Sequence, residues 1–406
     1  MNENRENQLD ALSREAERLA TPQFQRIDAI AELNTARVLS AFQSHRVSDA
    51  MFAGTSGYGY DDPGRETLDR VFATVMGAQS ALVRIQFVNG THAIASALFA
   101  TLAPGDLMVS LTGKPYDTLH NVIGLDTPRW GSLAFYGVRY SEDAAELPHA
   151  RAAYIQRSRG YSDRAPLGIA ELRRMIADVR RVNPDAVIVV DNCYGEFVEE
   201  CEPTALGADL CAGSLIKNPG GGLAPCGGYV AGRAELVARA AERLTVPGIG
   251  AECGATLNSN KLLFQGLFNA PHVTAQALKT AVFASALFHL MGYEVSPSYD
   301  TPRRDIIQTL ELSDPELVRR FCQGLQSGSP VDSFATPQPW AMPGYDCDVI
   351  MAAGAFTQGA SIELSADAPM RPPFRIYLQG GLSYHSGKLG ILTAAARIPL
   401  RKHLTN

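Results

Sequence analysis

Three short segments carry the residue types that can do chemistry. They are Gly213-Ser214-Leu215-Ile216-Lys217-Asn218-Pro219, Val189-Val190-Asp191-Asn192 and Asn89-Gly90-Thr91. A lysine amine is a nucleophile and a base when its pKa is lowered, and the uncharged surround of Leu215, Ile216 and Pro219 predicts such an environment for Lys217. Asp191 closes an apolar run, where a carboxylate can pair with a protonated ring nitrogen; a strand-end acid capping a turn reads the same way. Gly90 and Thr91 stand where the N–H groups of a helix start can cradle a phosphate, with the Thr91 hydroxyl as a further donor. A plain turn with Thr91 as N-cap is the alternative. Glycines at 220, 221, 222, 227 and 228 let a backbone pass close to a ligand, or form a simple connector. Other lysines are less apt: Lys114 precedes a proline, Lys261 and Lys279 fall in helical patterns, and Lys388 and Lys402 lie near the polar C-terminus.

Two look-alike motifs drop out. Gly113-Lys114 lacks the upstream glycine and the following Ser/Thr of a P-loop, and Gly57-Tyr58-Gly59 follows no strand, as a dinucleotide fingerprint must. A chain of 406 residues with 46% hydrophobic and 19% charged residues has ordinary globular composition. Its length predicts a large catalytic domain plus a smaller one. The net charge of −6 comes from interspersed acids and bases, with no basic run to engage nucleic acid. The polar start Met1-Asn2-Glu3-Asn4-Arg5 is unlike a signal peptide, and the apolar stretch 270–291 is broken by His272, Gln276, Lys279 and His289, so a cytoplasmic protein is expected, with no membrane partner. The seven cysteines form no CxxC pair, which argues for reduced thiols and against a metal site.

The elements that must position these residues follow from periodicity. Leu9, Leu12, Ala16 and Leu19, then Ile27, Ile30, Leu33, Val38 and Phe42, predict two amphipathic helices broken at Pro22. A glycine- and aromatic-rich loop spans 53–64. Helices are expected at 66–76, 91–102 and 169–181, alternating with strands at 81–87, 107–111, 153–156 and 186–190. That alternation predicts a mainly parallel α/β sheet, in which ligands bind at the carboxyl ends of the strands. Beyond Gly232 the chain reads as helical to Met291, then as short strands at 305–310, 349–352, 361–364 and 375–378. The expected division is an N-terminal helical segment (1–50), a large α/β domain (51–290) and a small α+β domain (291–406).

Together, Gly57-Tyr58-Gly59-Tyr60-Asp61-Asp62, Asn89-Gly90-Thr91-His92-Ala93-Ile94, Gly113-Lys114-Pro115-Tyr116-Asp117-Thr118, Asp191-Asn192-Cys193-Tyr194-Gly195-Glu196-Phe197 and the run from Gly213 to Gly222 resemble the methionine gamma-lyase family. The branch they resemble includes proteins labelled as aluminium-resistance proteins, and the likeness runs from residue 25 to residue 395. The resemblance implies a fold-type I enzyme dependent on pyridoxal 5'-phosphate (PLP), a homodimer or homotetramer with shared active sites. By the same resemblance Lys217 carries the cofactor as a Schiff base, Asp191 pairs with the pyridine nitrogen, and Gly90, Thr91 and Ser214 hold the phosphate. Tyr116 stacks on the ring, and Tyr58 or Tyr60, with Arg65, reaches the partner subunit's phosphate. Arg371, in Met370-Arg371-Pro372-Pro373, is the first candidate for the substrate carboxylate and Arg375 the second; a surface arginine is the alternative for each. Tyr384-His385-Ser386 departs from the Tyr-Glu-His expected in this branch.

The activity implied is elimination from a sulfur amino acid, with Lys217 removing the Cα proton and Tyr116 protonating the departing sulfur. An aminotransferase on the same fold and a non-catalytic PLP-binding protein are the rival readings.

Overall fold

The computed structural model describes residues 3–342 and 347–401; Lys402 lies outside them. The chain divides into two compact units, one of Leu33–Ala270 and one of Met1–Glu32 with Pro271–Asn406. The division therefore falls at 32 and 270 rather than at 50 and 290. Pro22 does not split the N-terminal segment, because α1 runs unbroken from Glu3 to Ser44. An interior proline costs about 3 kcal/mol of helix stability. Burial on both flanks offsets that: Ala16 packs in the core of one unit, and Val38 and Ala41 in the core of the other.

The 33–270 unit continues with α2 (Pro63–Met76), β1 (Ser80–Arg84), α3 (Gly90–Thr101), β2 (Leu107–Ser110), α4 (Asp117–Ile123), β3 (Arg139–Ser141), β4 (Ala152–Gln156), α5 (Ile169–Val182), β5 (Val187–Asp191), β6 (Leu210–Ser214), β7 (Gly228–Gly232) and α6 (Ala234–Leu244). The strands form one sheet in the order β1-β7-β6-β5-β4-β2-β3, in which β7 alone runs against its neighbours. Successive side chains of a strand point to opposite faces. Accordingly Val109, Ile155, Ile188, Val190 and Cys211 enter one core, with α2 and α5, while Met108, Tyr154, Val189, Leu210 and Ala212 enter the other, with α3 and α6. Covered on both faces, the sheet leaves its strand ends and connecting loops for function.

α7 (Asn260–Leu290) leads out of this unit. By length and composition it could cross a bilayer, but 78% of its apolar window is buried inside the protein. The other unit adds β8 (Glu294–Ser296), β9 (Gln308–Glu311), α8 (Pro315–Ser327), β10 (Val349–Ala353), β11 (Ser365–Pro369), β12 (Arg375–Gln379) and α9 (Tyr384–Ala395). Its five strands form an antiparallel sheet, β10-β11-β12-β9-β8. The strand expected at 361–364 is a turn instead, and β11 begins just after it. Glu363 is buried there, its carboxylate accepting from the Phe356 and Thr357 amides at 2.9 Å each, so a loop contact has replaced the ladder.

Candidate active site

β5 and β6 are parallel neighbours, with Asp191 in register with Ala212. Asp191 ends β5, and Lys217 follows the end of β6 at Ser214. α3 starts at Gly90, where Asn89 is the N-cap and its side chain accepts from the His92 amide at 2.9 Å. Thr91 is thus not the cap; its hydroxyl shares a 2.7 Å hydrogen bond with that of Thr118 on α4. A Cβ placed on Gly90 would come within 3.0 Å of Ser214 Cβ and 3.5 Å of Cys193 Sγ. The helix start, the end of β6 and the loop after β5 therefore converge on a space that glycine keeps open. Tyr116 is the N-cap of α4; its amide donates to Gln156 Oε1 at 2.7 Å and its ring lies 5.8 Å from that of Tyr161.

Asp191 is buried. Its Oδ1 accepts from the Cys193 amide at 3.1 Å and its Oδ2 from the Tyr154 hydroxyl at 3.3 Å. Burial raises its pKa against the pull of the Cys193 bonds, the Lys217 charge and Tyr154. A carboxylate offers about four lone-pair sites, so the bonds from Cys193 and Tyr154 orient Asp191 and leave room for a further donor. Lys217 Nζ sits 3.8 Å from the centroid of the Tyr194 ring. Here a sequence expectation is corrected. Desolvation is the largest influence on Lys217 and does lower its pKa, but Cys193, Tyr194 and Asp191 together outweigh it and raise the amine above an ordinary lysine.

Sequence reasoning gave no role to the residues that hold this loop. Tyr194 and Phe197 have left-handed backbones, with φ of 71° and 62°. A buried polar network fixes them. Asn192 accepts from Arg157 Nη1 at 3.0 Å and donates to Glu202 Oε2 at 2.9 Å, and Tyr229 donates to Glu196 Oε1 at 2.8 Å. Asn218, next to Lys217, donates to the Glu196 carbonyl at 2.9 Å. Arg157 also pairs with Glu199 at 2.9 Å. The signal available was the cluster of Asn192, Glu196, Glu199, Glu200 and Glu202 in one short segment between apolar strands.

The loop candidates separate. Tyr58 and Tyr60 are exposed, their rings 5.7 Å apart. Arg65 is buried and spent within its own unit: it donates to the carbonyls of Gly59, of Gly254 (2.9 Å) and of Glu252 (3.1 Å). Asp62 completes the brace, accepting from the Arg65 amide at 2.8 Å and from the Thr55 and Thr256 hydroxyls at 2.6 and 2.8 Å. These bonds hold its carboxyl low despite its desolvation. In the other unit Arg371 is exposed beside β12, and Arg375, half-buried, pairs with Glu311 at 3.3 Å.

The methionine gamma-lyase family model matches residues 9–399. The YnbB protein of Bacillus subtilis is 48% identical over 383 residues, 91% of each chain. The crystal structure of a carbon-sulfur lyase involved in aluminium resistance from Clostridium novyi is 47% identical, covers 96% of each chain and superposes with a TM-score of 0.91. The L-methionine gamma-lyase of Pseudomonas putida is 27% identical over 302 residues, 68% of this chain and 72% of that one. The arrangement fits the family's cofactor: a buried, oriented carboxylate with acceptor capacity left, a lysine beside it, and a helix start whose glycine admits no Cβ without displacement. The chain belongs to the methionine gamma-lyase family, in its aluminium-resistance branch, among the PLP-dependent enzymes of fold type I.

Proposed function

We propose that this protein is a carbon–sulfur lyase that eliminates thiol or sulfide from a sulfur amino acid, whether cysteine, homocysteine, methionine or a cysteine conjugate, to give a keto acid and ammonia. The observation that carries the reading is the convergence of Lys217, Asp191 and Tyr194 at the carboxyl ends of β5 and β6. When bound, PLP supplies an electron-withdrawing ring that stabilises negative charge at the substrate Cα. Asp191 would be the partner for the ring nitrogen, and Gly90, Thr91 and Ser214 would hold the phosphate. Asp191 is also one of the groups that keep Lys217 protonated, so engaging that carboxylate with the cofactor would leave the amine less strongly held in its charged form. Lys217 Nζ then takes the Cα proton, and Tyr116 delivers a proton to the departing sulfur. Arg371 or Arg375 meets the substrate carboxylate, and the enzyme works in the cytoplasm as a homodimer or homotetramer, with Tyr58 or Tyr60 contributed to a partner's site.

Absorbance of the purified holoenzyme, with and without L-cysteine, L-homocysteine and L-methionine, tests this alongside detection of keto acid and thiol. Lys217→Ala should lose both the visible band of lysine-bound cofactor and turnover. A wild-type protein that stays colourless after reconstitution would sink the proposal, and keto acid formed only with a keto-acid acceptor would move it to transamination.

A further inference from the structure

Arg303 lies between β8 and β9, just after the exposed Thr301 and Pro302, and is only 6% exposed. Its Nε, Nη1 and Nη2 all lack a hydrogen-bond partner. Among the described residues no other buried arginine is unmet at all three nitrogens: Arg65 is spent on carbonyls, Arg157 on Asn192 and Glu199, and Arg84 on both oxygens of Asp69. Burial lowers the Arg303 pKa to about 10, and Asp305 is the charge that works against this. Asp305 is itself buried, with Oδ1 accepting from the Ile307 amide at 3.0 Å. A guanidinium stripped of water with no donor met is rare in folded proteins, because desolvation is then uncompensated. Its planar fork matches a carboxylate with two parallel bonds. With Asp305 close enough to act on it, a monoanion balances the charge better than a phosphate dianion. Arg375, by contrast, already has the carboxylate of Glu311.

We propose that Arg303 is the binding residue for a small carboxylate, held by its guanidinium fork. The inference rests on the lyase reading only for one source of that group, the amino-acid substrate, whose carboxylate Arg303 would then hold in place of Arg371 or Arg375; the other source is a carboxylate ligand that is not turned over.

The holoenzyme is titrated calorimetrically with propionate, which has the carboxylate but no amine, and with neutral propionamide. The proteins compared are wild type, Arg303→Met, Arg303→Lys and a surface control, Arg319→Gln. Saturable propionate binding is expected in wild type and Arg319→Gln, weaker by at least about tenfold in Arg303→Met, partly recovered in Arg303→Lys, and absent with propionamide. In carboxylate-free buffer Arg303→Met should melt no lower than wild type, since it removes an unmet buried charge. Kinetics then name the source: KM raised by at least about tenfold with kcat little changed identifies the substrate, while an unchanged KM identifies a separate ligand, and both support the site. If wild type turns over no sulfur amino acid, the lyase reading fails while the propionate result still decides Arg303. Propionate binding equal in wild type and Arg303→Met, or absent from both, overturns the proposal. So does a collapse in the melting temperature of Arg303→Met, which would make Arg303 a structural cation.

Discussion

Glu196 should give the fold a pH dependence that one substitution removes. Its carboxyl is fully buried, with Oε1 accepting from the Tyr229 hydroxyl at 2.8 Å and Oε2 without a partner. Burial pushes its pKa from 4.5 up to about 8, against its own backbone bond, the Tyr229 bond and the Lys217 charge. The native protein therefore holds a proton that the unfolded chain releases, so this contribution is complete below pH 4.5 and is lost as the pH rises through about 8. Within that window stability falls by about 1.4 kcal/mol per pH unit, which integrates to about 3–4 kcal/mol between pH 5 and pH 8. Glu196→Gln keeps a neutral side chain and an acceptor for Tyr229 at every pH. Urea unfolding of both proteins at pH 5, 6, 7 and 8 should show wild type losing that amount relative to the variant, because all other titrations cancel in the difference. Parallel curves, agreeing to within about 0.5 kcal/mol over the range, would refute the claim that the native state holds this proton.

Arg65→Met leaves the carbonyls of Gly59, Gly254 and Glu252 without their donor, and should cost about 3–5 kcal/mol in unfolding experiments on the cofactor-free protein. An intact fold with weakened cofactor binding would instead support the partner-phosphate role that the resemblance suggested. Gly90→Ala places a Cβ 3.0 Å from Ser214 Cβ, and equilibrium dialysis should show PLP affinity reduced by about tenfold while the cofactor-free melting temperature changes little.

Much of this site is legible in the sequence, because its parts obey local rules. The run Val187–Asp191 is a buried strand by its β-branched residues, and Gly90 opens a helix by its position between strand and apolar period. β6 and β7 escaped because small residues dominate them: Leu-Cys-Ala-Gly-Ser and Gly-Tyr-Val-Ala-Gly leave Tyr229 and Val230 as their strong strand formers. Their composition answers to packing instead: a Cβ on Gly228 would lie 2.9 Å from Ala93 Cβ on α3, and one on Gly213 would lie 2.7 Å from Glu196 Oε1. Long-range closeness of this kind has no signature along the chain. The unbroken α1 is the converse case, in which tertiary burial overrides a local breaker that sequence reasoning took at face value.

The lysine environment shows why neighbours in sequence are a poor guide to neighbours in space. Leu215 is buried in the sheet core, and the groups that set the charge of Lys217 come from the loop after β5. Presenting the Tyr194 ring to the amine requires a left-handed backbone at a non-glycine residue, a conformation that costs about 1–3 kcal/mol at each such position. Glycine at 194 would relieve that strain and lose the ring. The sequence keeps the ring, and fixes the loop around it through Asn192, Glu202, Tyr229 and Asn218, whose buried hydrogen bonds contribute about 0.5–1.5 kcal/mol each. Strain held in place by a surrounding network, at the residue that faces the lysine, is the pattern of a backbone shaped for the site rather than for the core.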